Sequence, residues 1–332
     1  MAATSAQLVM PDRTVDTWDR VCATSEGATF FHTKVWADVI AQTFPHWTAA
    51  PVSVEFSDGN EMVMPLMKRR GLIPAQHYYE SMPPGVYGGP IFSKTPSESQ
   101  LEETLETLQR FASIIVQGNP FVEVRFPEAH RRELHTHMLD LRQGDRIEKR
   151  FRKGHLANIS AARRKGVQVT IASASSEVDE YFAVYQNSLA RWGENASGFY
   201  PRQLFHNLFA LPEYGRAVKL WLASYDNTIV AGAWVFFHRH HAVYWHGAMH
   251  ADYAQSHPVH LMLAEAIKAA REESFHWFDF NPSGGLAGVE HFKRGFGAAP
   301  FPVLSYRRLS PLGKAYRAKR FFQETVLRSC PV

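Results

Sequence analysis

The fold of this chain is indicated most clearly by the stretch Phe278-Asp279-Phe280-Asn281-Pro282-Ser283-Gly284-Gly285 and the segment Gly288-Val289-Glu290-His291-Phe292-Lys293-Arg294-Gly295-Phe296-Gly297 that follows it. The apolar start predicts a short strand over 277–280, and the proline and glycines predict a loop after it. Functional sites are commonly built on loops at strand ends, and a lysine there can stabilise charge on a tetrahedral oxyanion. Taken alone, a Phe-Lys pair more often marks a turn with a surface lysine.

The rest of the sequence divides into two halves with the same order of elements. In the first half we expect a helix over 33–43, a hairpin over 50–56 and 61–68, a long helix over 97–117 capped by Ser97 or Ser99, and strands over 121–126 and 137–141. In the second half we expect a helix over 145–165 with an interruption at Gly154 and Gly166 as C-cap, a strand over 167–172, helices over 177–191 and 201–210, a hairpin over 218–225 and 229–238, a strand over 242–248 and a helix over 259–271. The predicted fold class is α/β (α+β), with two similar halves.

Composition excludes several classes of protein. The chain has 332 residues, of which 45% are hydrophobic and 13% aromatic, which suffices for two domains with buried cores and excludes intrinsic disorder. Apolar runs such as 231–237 are far shorter than the roughly 20 residues of a membrane-spanning helix. No secretory signal is recognisable, and the two cysteines, Cys22 and Cys330, form no disulfide framework, so we expect a reduced, cytoplasmic setting.

Positive charge is concentrated in two stretches. Residues 146–165 hold eight Lys and Arg against one acid, and the tail from Arg307 holds seven against Glu324, although the net charge is only +4. An acidic body with two basic stripes indicates a polyanionic partner, such as a nucleic acid or a nucleotide-linked substrate. Solvated helix faces would give the same pattern.

Three segments together resemble the GNAT-like peptidoglycan-bridge family, which comprises the Fem-type aminoacyl-tRNA-dependent transferases and their CelD/BcsL-like relatives. They are the 278–297 stretch, residues 81–90, which are similar to the family's S-x-P-x-G-x-Y-G-G-P loop, and residues 158–167, which are similar to its N-I-R-K-A-x-K-x-G-V helix end. Ser160 and Ala161 stand where Arg and Lys are usual, which moves the basic contact to Arg163 and Arg164. Asn281 stands where the family commonly has Gly.

The resemblance runs from about residue 30 to residue 306 and implies two tandem GNAT-like domains, each a twisted mixed sheet flanked by helices. The first domain is expected over 1–144, joined by the C-terminal segment 307–332, and the second over 145–306 with the catalytic loop. The implied activity is amide-bond formation by direct aminolysis, in which an aminoacyl group moves from aminoacyl-tRNA to an amine. The acceptor would be a peptidoglycan precursor or a specialised metabolite.

The resemblance also implies roles for individual residues. Lys293 would stabilise the oxyanion or the departing ribose oxygen, Phe292 would shape the pocket, and Asp279 or Glu290 would orient or deprotonate the amine. The acceptor side would be lined by Glu290 together with Tyr87, Gly88 and Gly89. Donor phosphates, or those of a nucleotide-linked acceptor, would bind four basic residues, namely Lys149, Lys153, Arg163 and Arg164.

The sequence leaves alternatives for the donor. An ordinary GNAT acetyltransferase binds the coenzyme A pyrophosphate with a Gly-rich turn and the helix N-terminus after it. The corresponding stretch here, 247–258, has no glycine after Gly247 and adds Asp252, which disfavours coenzyme A and favours aminoacyl-tRNA as co-substrate, with no cofactor. The alternatives are an acyl-CoA-dependent N-acyltransferase acting on a polysaccharide precursor or small metabolite, and a non-catalytic double-GNAT scaffold in envelope or exopolysaccharide assembly. Peripheral contact with a membrane is compatible with each of them.

Metal and hydrolase chemistry are not expected. Five histidines between 238 and 250 lack a cysteine or carboxylate at a recognised metal-ligand spacing. The sequence contains no G-x-S-x-G elbow of the kind that carries the nucleophile of a hydrolase.

Overall fold

The structure is a computed structural model that describes residues 7–8, 11–73, 76–83, 86–122, 124, 127, 130–144, 146–192 and 199–318. Contacts within the chain divide it into two compact units, the first made of residues 1–27, 31–133 and 303–332 and the second of residues 28–30 and 134–302. In this division the chain passes between the units at 27/28, 30/31, 133/134 and 302/303, whereas we predict domain limits at 144/145 and 306/307.

Both units contain helices and strands. The helices are α1 (Pro11–Thr24), α2 (Lys34–Thr43), α3 (Glu98–Gln109), α4 (Lys153–Arg164), α5 (Ser175–Trp192), α6 (Arg202–Phe209), α7 (Pro258–Glu272) and α8 (Ala287–Gly295), and residues 311–318 are also helical. The strands are β1 (Gln7–Leu8), β2 (Thr48–Ala49), β3 (Val52–Glu55), β4 (Glu61–Met64), β5 (Leu66–Arg70), β6 (His77–Ser81), β7 (Ile91–Phe92), β8 (Ile114–Gln117), β9 (Arg131–Asp140), β10 (Gln168–Ile171), β11 (Val218–Tyr225), β12 (Thr228–His238), β13 (His241–Met249), β14 (Trp277–Asp279) and β15 (Ala299–Arg308). Short 3-10 helices cover Phe30–His32, Ile147–Arg150 and Ala251–Ser256.

The first unit contains two groups of strands. One has the order β1-β3-β4-β7 and the other the order β15-β8-β6-β5-β2. The β6–β8 pair is parallel, whereas β15 pairs with β8, and β5 with β6, antiparallel. Their apolar residues, among them Phe56, Met64, Ile114 and Val116, form one buried core.

The second unit is built on strands in the order β10-β11-β12-β13-β14-β9. Alternate residues of β12 face opposite sides of the sheet. Ala231, Ala233 and Val235 join a core with α4 and α7, and Trp234 packs against Tyr181 of α5 on the other side. The β13–β14 pair is parallel, while the other pairs from β10 to β9 are antiparallel.

Local capping and turn signals explain the elements that were predicted well. Helix α2 begins after Thr33, whose hydroxyl accepts the Trp36 N–H, and α3 begins with a capping box formed by Ser97 and Gln100. The β11–β12 hairpin turns at Asp226 and Asn227, which have φ of 49° and 60°. Such left-handed residues match the twist of a two-residue hairpin.

Several predicted elements are wrong in extent. The predicted strand 61–68 is divided at Pro65 into β4, which pairs with β3, and β5, which pairs with β6. The predicted strand 137–141 already begins at Arg131. The predicted helix 97–117 ends at Gln109, and its last residues form β8, because Ile114, Ile115 and Val116 are β-branched and lie in a strand between two others. The predicted helix 145–165 is divided by extended backbone at Phe151 and Arg152 rather than at Gly154.

The predicted strand 121–126 is not found at residues 121, 122 and 124, while 123, 125 and 126 lie outside the described residues. The reason is a turn made by Asn119. Its side-chain oxygen accepts the Phe121 N–H at 2.9 Å, and its carbonyl accepts the Val122 N–H at 3.2 Å. The N–H groups of Phe121 and Val122 are therefore not available for pairing with a strand.

The predicted α/β class, with mixed sheets flanked by helices, is confirmed. None of the described helices is both long enough and apolar enough to cross a membrane.

Candidate active site

The candidate site lies where two parallel strands of the second unit separate. Strands β13 and β14 pair only from His241↔Trp277 to Val243↔Asp279, although β13 continues to Met249. Beyond Asp279 the chain turns away at Asn281, whose φ of 61° is left-handed. Asn tolerates this conformation better than most residues, so it can occupy a position where Gly is common. Open α/β sheets bind ligands outside the carboxyl ends of their strands, which is the location of this loop.

Lys293 is the buried cation of this site. It lies on α8, its side chain is only 4% exposed, and Nζ donates a hydrogen bond to the Asn281 carbonyl oxygen at 2.6 Å. Burial lowers the pKa of Lys293 to about 8, against the opposing effects of the Asp279 and Glu290 carboxylates. A buried lysine with a lowered pKa, held at a strand end, is a candidate catalytic group because its proton is available near neutral pH.

Asp279 fixes the loop that holds Lys293. Its Oδ1 accepts the Thr136 hydroxyl at 2.5 Å and the Asn281 N–H at 2.8 Å, and the residue is 1% exposed. Asp279 therefore connects β9, β14 and the loop, while its charge stabilises the ammonium form of Lys293. Asp279 therefore holds Asn281, and the carbonyl of Asn281 in turn holds the Lys293 ammonium.

Three buried polar atoms around this loop have no hydrogen-bond partner among the described residues. They are Oδ1 of Asn281, Oγ of Ser283 and Nδ1 of His137. Buried polar groups are normally paired, so each of these atoms would be satisfied by a bound substrate or water. Their grouping on the Lys293 loop and on β9 makes this loop a candidate site for a polar ligand.

His137 is connected to the site by a hydrogen bond from Arg294. The Arg294 Nε donates to His137 Nε2 at 3.3 Å, so the proton of the neutral ring lies on Nδ1. Burial, followed by the positive charges of Lys293 and Arg294, lowers the pKa of His137 and keeps the ring neutral. Glu290 lies 3.7 Å from Arg294 on the same helix and is half-buried.

Helix α8 is held in place by the start of α4. His155 Nε2 donates to the Phe292 carbonyl at 2.9 Å, and the Arg152 N–H donates to the Gly295 carbonyl at 2.8 Å. A Cβ added to Gly295 would lie 2.0 Å from a ring carbon of His155. Phe292 is packed against the rings of His155 and His260, at 5.3 and 5.1 Å, so it forms part of this contact. Sequence reasoning missed His155, because nothing in its neighbours marks a contact 137 residues away.

The residues predicted for the acceptor side lie mostly in the first unit. Tyr87 is fully buried there, and both glycines are required by packing. A Cβ at Gly88 would approach the Ser81 carbonyl carbon to 2.9 Å, and one at Gly89 would approach the Asn119 nitrogen to 2.9 Å. Of the four predicted acceptor residues, only Glu290 lies with Lys293 in the second unit.

The residues predicted for phosphate binding form two separate pairs. Lys149 and Lys153 are exposed just before and at the start of α4, whereas Arg163 and Arg164 are exposed at its end. A helix of this length separates the two pairs by roughly 15 Å. Arg163 also donates to Glu265 of α7 at 2.7 Å. Lys149 and Lys153 flank Arg152, whose N–H is bonded to α8, so this pair lies in the segment attached to the helix of Lys293.

The start of α7 offers few donors to an anion. It begins with Pro258, which has no N–H, after His257 with φ of 54°. The N–H groups of His260 and Leu261 both donate to the His257 carbonyl, at 3.2 and 3.5 Å. Anion sites at helix N-termini depend on free backbone N–H groups, and at this start Pro258 has none and that of His260 is already bonded.

A second buried histidine lies on β13, in an aromatic cluster that sequence reasoning did not predict. His246 Nδ1 shares a hydrogen bond with the Tyr181 hydroxyl, and its ring lies 4.6 Å from Tyr185 and 5.2 Å from Tyr200. Burial lowers the pKa of His246 to about 3, so the ring is neutral at physiological pH. Within the described part of the chain, no group of three or more His, Cys, Asp or Glu is placed to hold a metal ion.

The sequence of the second unit matches a known domain family. Residues 149–294 match the family described as "Acetyltransferase (GNAT) domain". No curated protein matches the sequence of this chain.

Solved structures share the fold over nearly the whole chain. The structure of FemX has a TM-score of 0.67 and 13% identity, covering 90% of this chain and 96% of FemX. The structure of L-PGS from Bacillus licheniformis has a TM-score of 0.53 and 13% identity, covering 98% of this chain and 99% of that one. At these identities the likeness concerns the fold alone. Lys293, Asp279 and the start of α4 all lie within the residues that match the family, whereas Tyr87 lies outside them.

Proposed function

We propose that the chain forms an amide bond, transferring an aminoacyl group from aminoacyl-tRNA to an amine. The observation that carries the proposal is Lys293, a buried ammonium at the carboxyl end of a strand in a GNAT domain, with unpaired polar atoms around it. The fold shared with FemX supports the same class of transferase.

The reaction needs no covalent intermediate on the protein. The acceptor amine attacks the ester carbonyl, the new C–N bond forms, and the C–O bond to the ribose breaks. Lys293 stabilises the oxyanion and gives a proton to the departing ribose oxygen. Glu290 receives the proton that the amine loses, and Asp279 keeps Lys293 in place and charged. His137 and Ser283 supply hydrogen bonds to the bound substrate.

Aminoacyl-tRNA is favoured as donor by two features of the GNAT domain. Helix α7 begins with a proline, and the N–H of His260 is already bonded to the His257 carbonyl, which leaves fewer donors for a pyrophosphate there. The exposed Lys149 and Lys153 lie beside the segment that holds α8 and can bind backbone phosphates of RNA.

An acyl-CoA donor is the second candidate, because the matched family is described as an acetyltransferase domain. The protein would then be an N-acyltransferase for a polysaccharide precursor or a small metabolite.

Binding of the two donors across a salt series separates these candidates. Purified protein is titrated with bulk charged tRNA and with acetyl-CoA. The proposal predicts salt-dependent tRNA binding and no saturable acetyl-CoA binding, and the opposite result would establish the second candidate. A Lys149→Gln/Lys153→Gln variant should reduce the salt slope by about 2, since each phosphate contact contributes nearly one. The matched control is Lys34→Gln/Lys268→Gln, which removes two exposed charges elsewhere.

A further inference from the structure

One end of the first unit brings together basic and apolar side chains that the proposed reaction does not use. The turn of the β5–β6 hairpin lies at this end, because Arg70 pairs with His77. Strand β8 begins there, since it runs parallel to β6 with Tyr79 opposite Ile114. Strand β15 finishes there, with Arg308 opposite Ile114. We call this the hairpin end.

The helical residues 311–318 lie on the same end. The Ser310 N–H donates to the Ala112 carbonyl at 3.0 Å, just before β8, and the Tyr316 ring lies 5.8 Å from Tyr78 of β6. The basic tail identified in the sequence therefore starts at the hairpin end.

Arg69 is fixed at the hairpin end by three aromatic rings. Its guanidinium lies 4.4 Å from the ring of Trp47, 4.9 Å from Tyr78 and 5.1 Å from Tyr316. Trp47 and Tyr78 are 6% and 2% exposed, so two buried rings lie against the Arg69 guanidinium. Cation–π contacts of this kind hold an arginine in one orientation.

Further cations surround Arg69. Arg70, Arg307, Lys314 and Arg317 are exposed at the same end. Arg307 lies within electrostatic range of two cations, Arg317 and Arg132, and of the Tyr78 hydroxyl and the Glu80 carboxylate. The hairpin end therefore carries an excess of positive charge.

Exposed aliphatic side chains accompany the cations. Leu72 and Ile73 in the hairpin turn are 39% and 49% exposed, and Leu312 is 47% exposed. They are the large hydrophobic side chains found exposed among the described residues of the first unit. Described residues on either side of this turn are bonded to each other, because the Gly71 N–H donates to the Gln76 carbonyl at 2.8 Å and the Gln76 N–H to the Ile73 carbonyl at 3.0 Å. Exposed aliphatic groups beside cations are typical of surfaces that dock on lipid.

We propose that the hairpin end docks on an anionic lipid membrane, with Leu72, Ile73 and Leu312 entering the interface and the arginines binding phosphate headgroups. A lipid surface fits better than RNA for a physical reason. RNA bases stack on exposed aromatic rings, whereas the Trp47, Tyr78 and Tyr316 rings lie against Arg69 and the large exposed hydrophobic side chains are aliphatic. The inference is independent of the reaction at Lys293.

Co-sedimentation of the full chain with lipid vesicles tests this inference. One set of vesicles is phosphatidylcholine, and the other contains about one third phosphatidylglycerol. We expect binding to the anionic vesicles only. Arg70→Gln/Arg317→Gln should weaken it about twentyfold, since each basic residue near the surface contributes about fivefold. Leu72→Ser/Ile73→Ser should weaken it about tenfold through lost apolar contact.

Matched variants remove the same kinds of group elsewhere. Ile171→Ser changes an exposed aliphatic residue of the second unit, and Lys34→Gln/Lys268→Gln removes two charges. Both should bind anionic vesicles as the unchanged protein does. Absence of binding to anionic vesicles, or binding that the Leu72/Ile73 variant retains in full, would overturn the proposal. Loss of tRNA binding in the arginine variant, with vesicle binding unchanged, would assign the hairpin end to RNA instead.

Discussion

The Nε2 of His155 donates a 2.9 Å hydrogen bond to the carbonyl of Phe292, the residue immediately before Lys293. With the bond from Arg152 N–H to Gly295, this attaches helix α8 to the start of α4. The basic segment 146–153 is therefore attached to the helix that carries the candidate catalytic lysine.

Replacing His155 tests whether this contact positions Lys293. His155→Leu removes the donor and leaves a buried carbonyl unpaired, so we expect kcat to fall at least tenfold with little change in KM. His155→Gln keeps an N–H donor and should recover part of the loss. Steady-state kinetics provide the measurement, with His291→Leu, an exposed position on the same helix, as the control. Equal kcat in His155→Leu and the unchanged protein would contradict a positioning role.

Two glycines of α8 form a matched pair. A Cβ at Gly295 would meet the His155 ring at 2.0 Å, whereas one at Gly288 meets nothing within 4 Å. Gly295→Ala should therefore destabilise the protein by about 1–3 kcal/mol through overpacking. Gly288→Ala should be neutral or stabilising by up to about 1 kcal/mol, because alanine favours helix. Thermal or urea unfolding measures both, and a smaller effect at Gly295 than at Gly288 would show that the His155 contact is placed wrongly.

The pH dependence of the reaction should report Lys293. Because burial lowers its pKa to about 8 and the proposed role needs the ammonium form, kcat should fall as pH rises through about 8. A kcat that rises over the same interval would mean that the neutral amine acts as a base.

Stability supplies an independent measure of the same group. Below pH 8 the lysine is charged in both the folded and the unfolded state, and above pH 10.5 it is neutral in both. Between these values the folded protein binds fewer protons, so its stability relative to Lys293→Met should rise with pH by about 3 kcal/mol in total. Denaturant unfolding at pH 7 and pH 10 gives the free energy of unfolding of both proteins. A difference between the two proteins that is the same at both pH values would show that the pKa of Lys293 is not lowered.

Acid sensitivity should come from buried histidines. Burial lowers the pKa of His246 to about 3 and of His260 to about 4, so the unfolded chain binds protons below pH 6.5 that the folded chain does not. Stability should decline as pH falls from 6.5, and His246 alone can contribute about 5 kcal/mol by pH 3. His246→Phe should be less stable at pH 7, since the Tyr181 hydroxyl loses its partner, but should show a shallower decline. If the stability of His246→Phe falls as steeply with pH as that of the unchanged protein, His246 is not a cause of the acid sensitivity.

The sequence predicted elements with local signals better than it predicted contacts. Ser97 and Gln100 mark a helix start, and Asp226-Asn227 marks a turn, because both act over a few residues. The segment 110–117 was misassigned to a helix since its conformation is decided by strands β6 and β15, which are distant in sequence.

The same distinction holds for the candidate site. Lys293 and Asp279 could be singled out because they lie in one short stretch. His155, Thr136 and His137 could not, because they reach the site from other elements, and only the folded chain brings them to Phe292, Asp279 and Arg294. The catalytic and phosphate-binding roles that we assign to these residues stay predictions.

The most direct test of the central proposal is release of labelled amino acid from bulk charged tRNA to hydroxylamine, a small amine that stands in for the acceptor. We predict that the unchanged protein and Lys268→Met, which alters an exposed lysine of the same domain, accelerate this transfer. Lys293→Met should fold and bind tRNA but lose about a hundredfold or more of the acceleration. Undiminished transfer by Lys293→Met, or acceleration with acetyl-CoA but not with charged tRNA, would contradict the proposal.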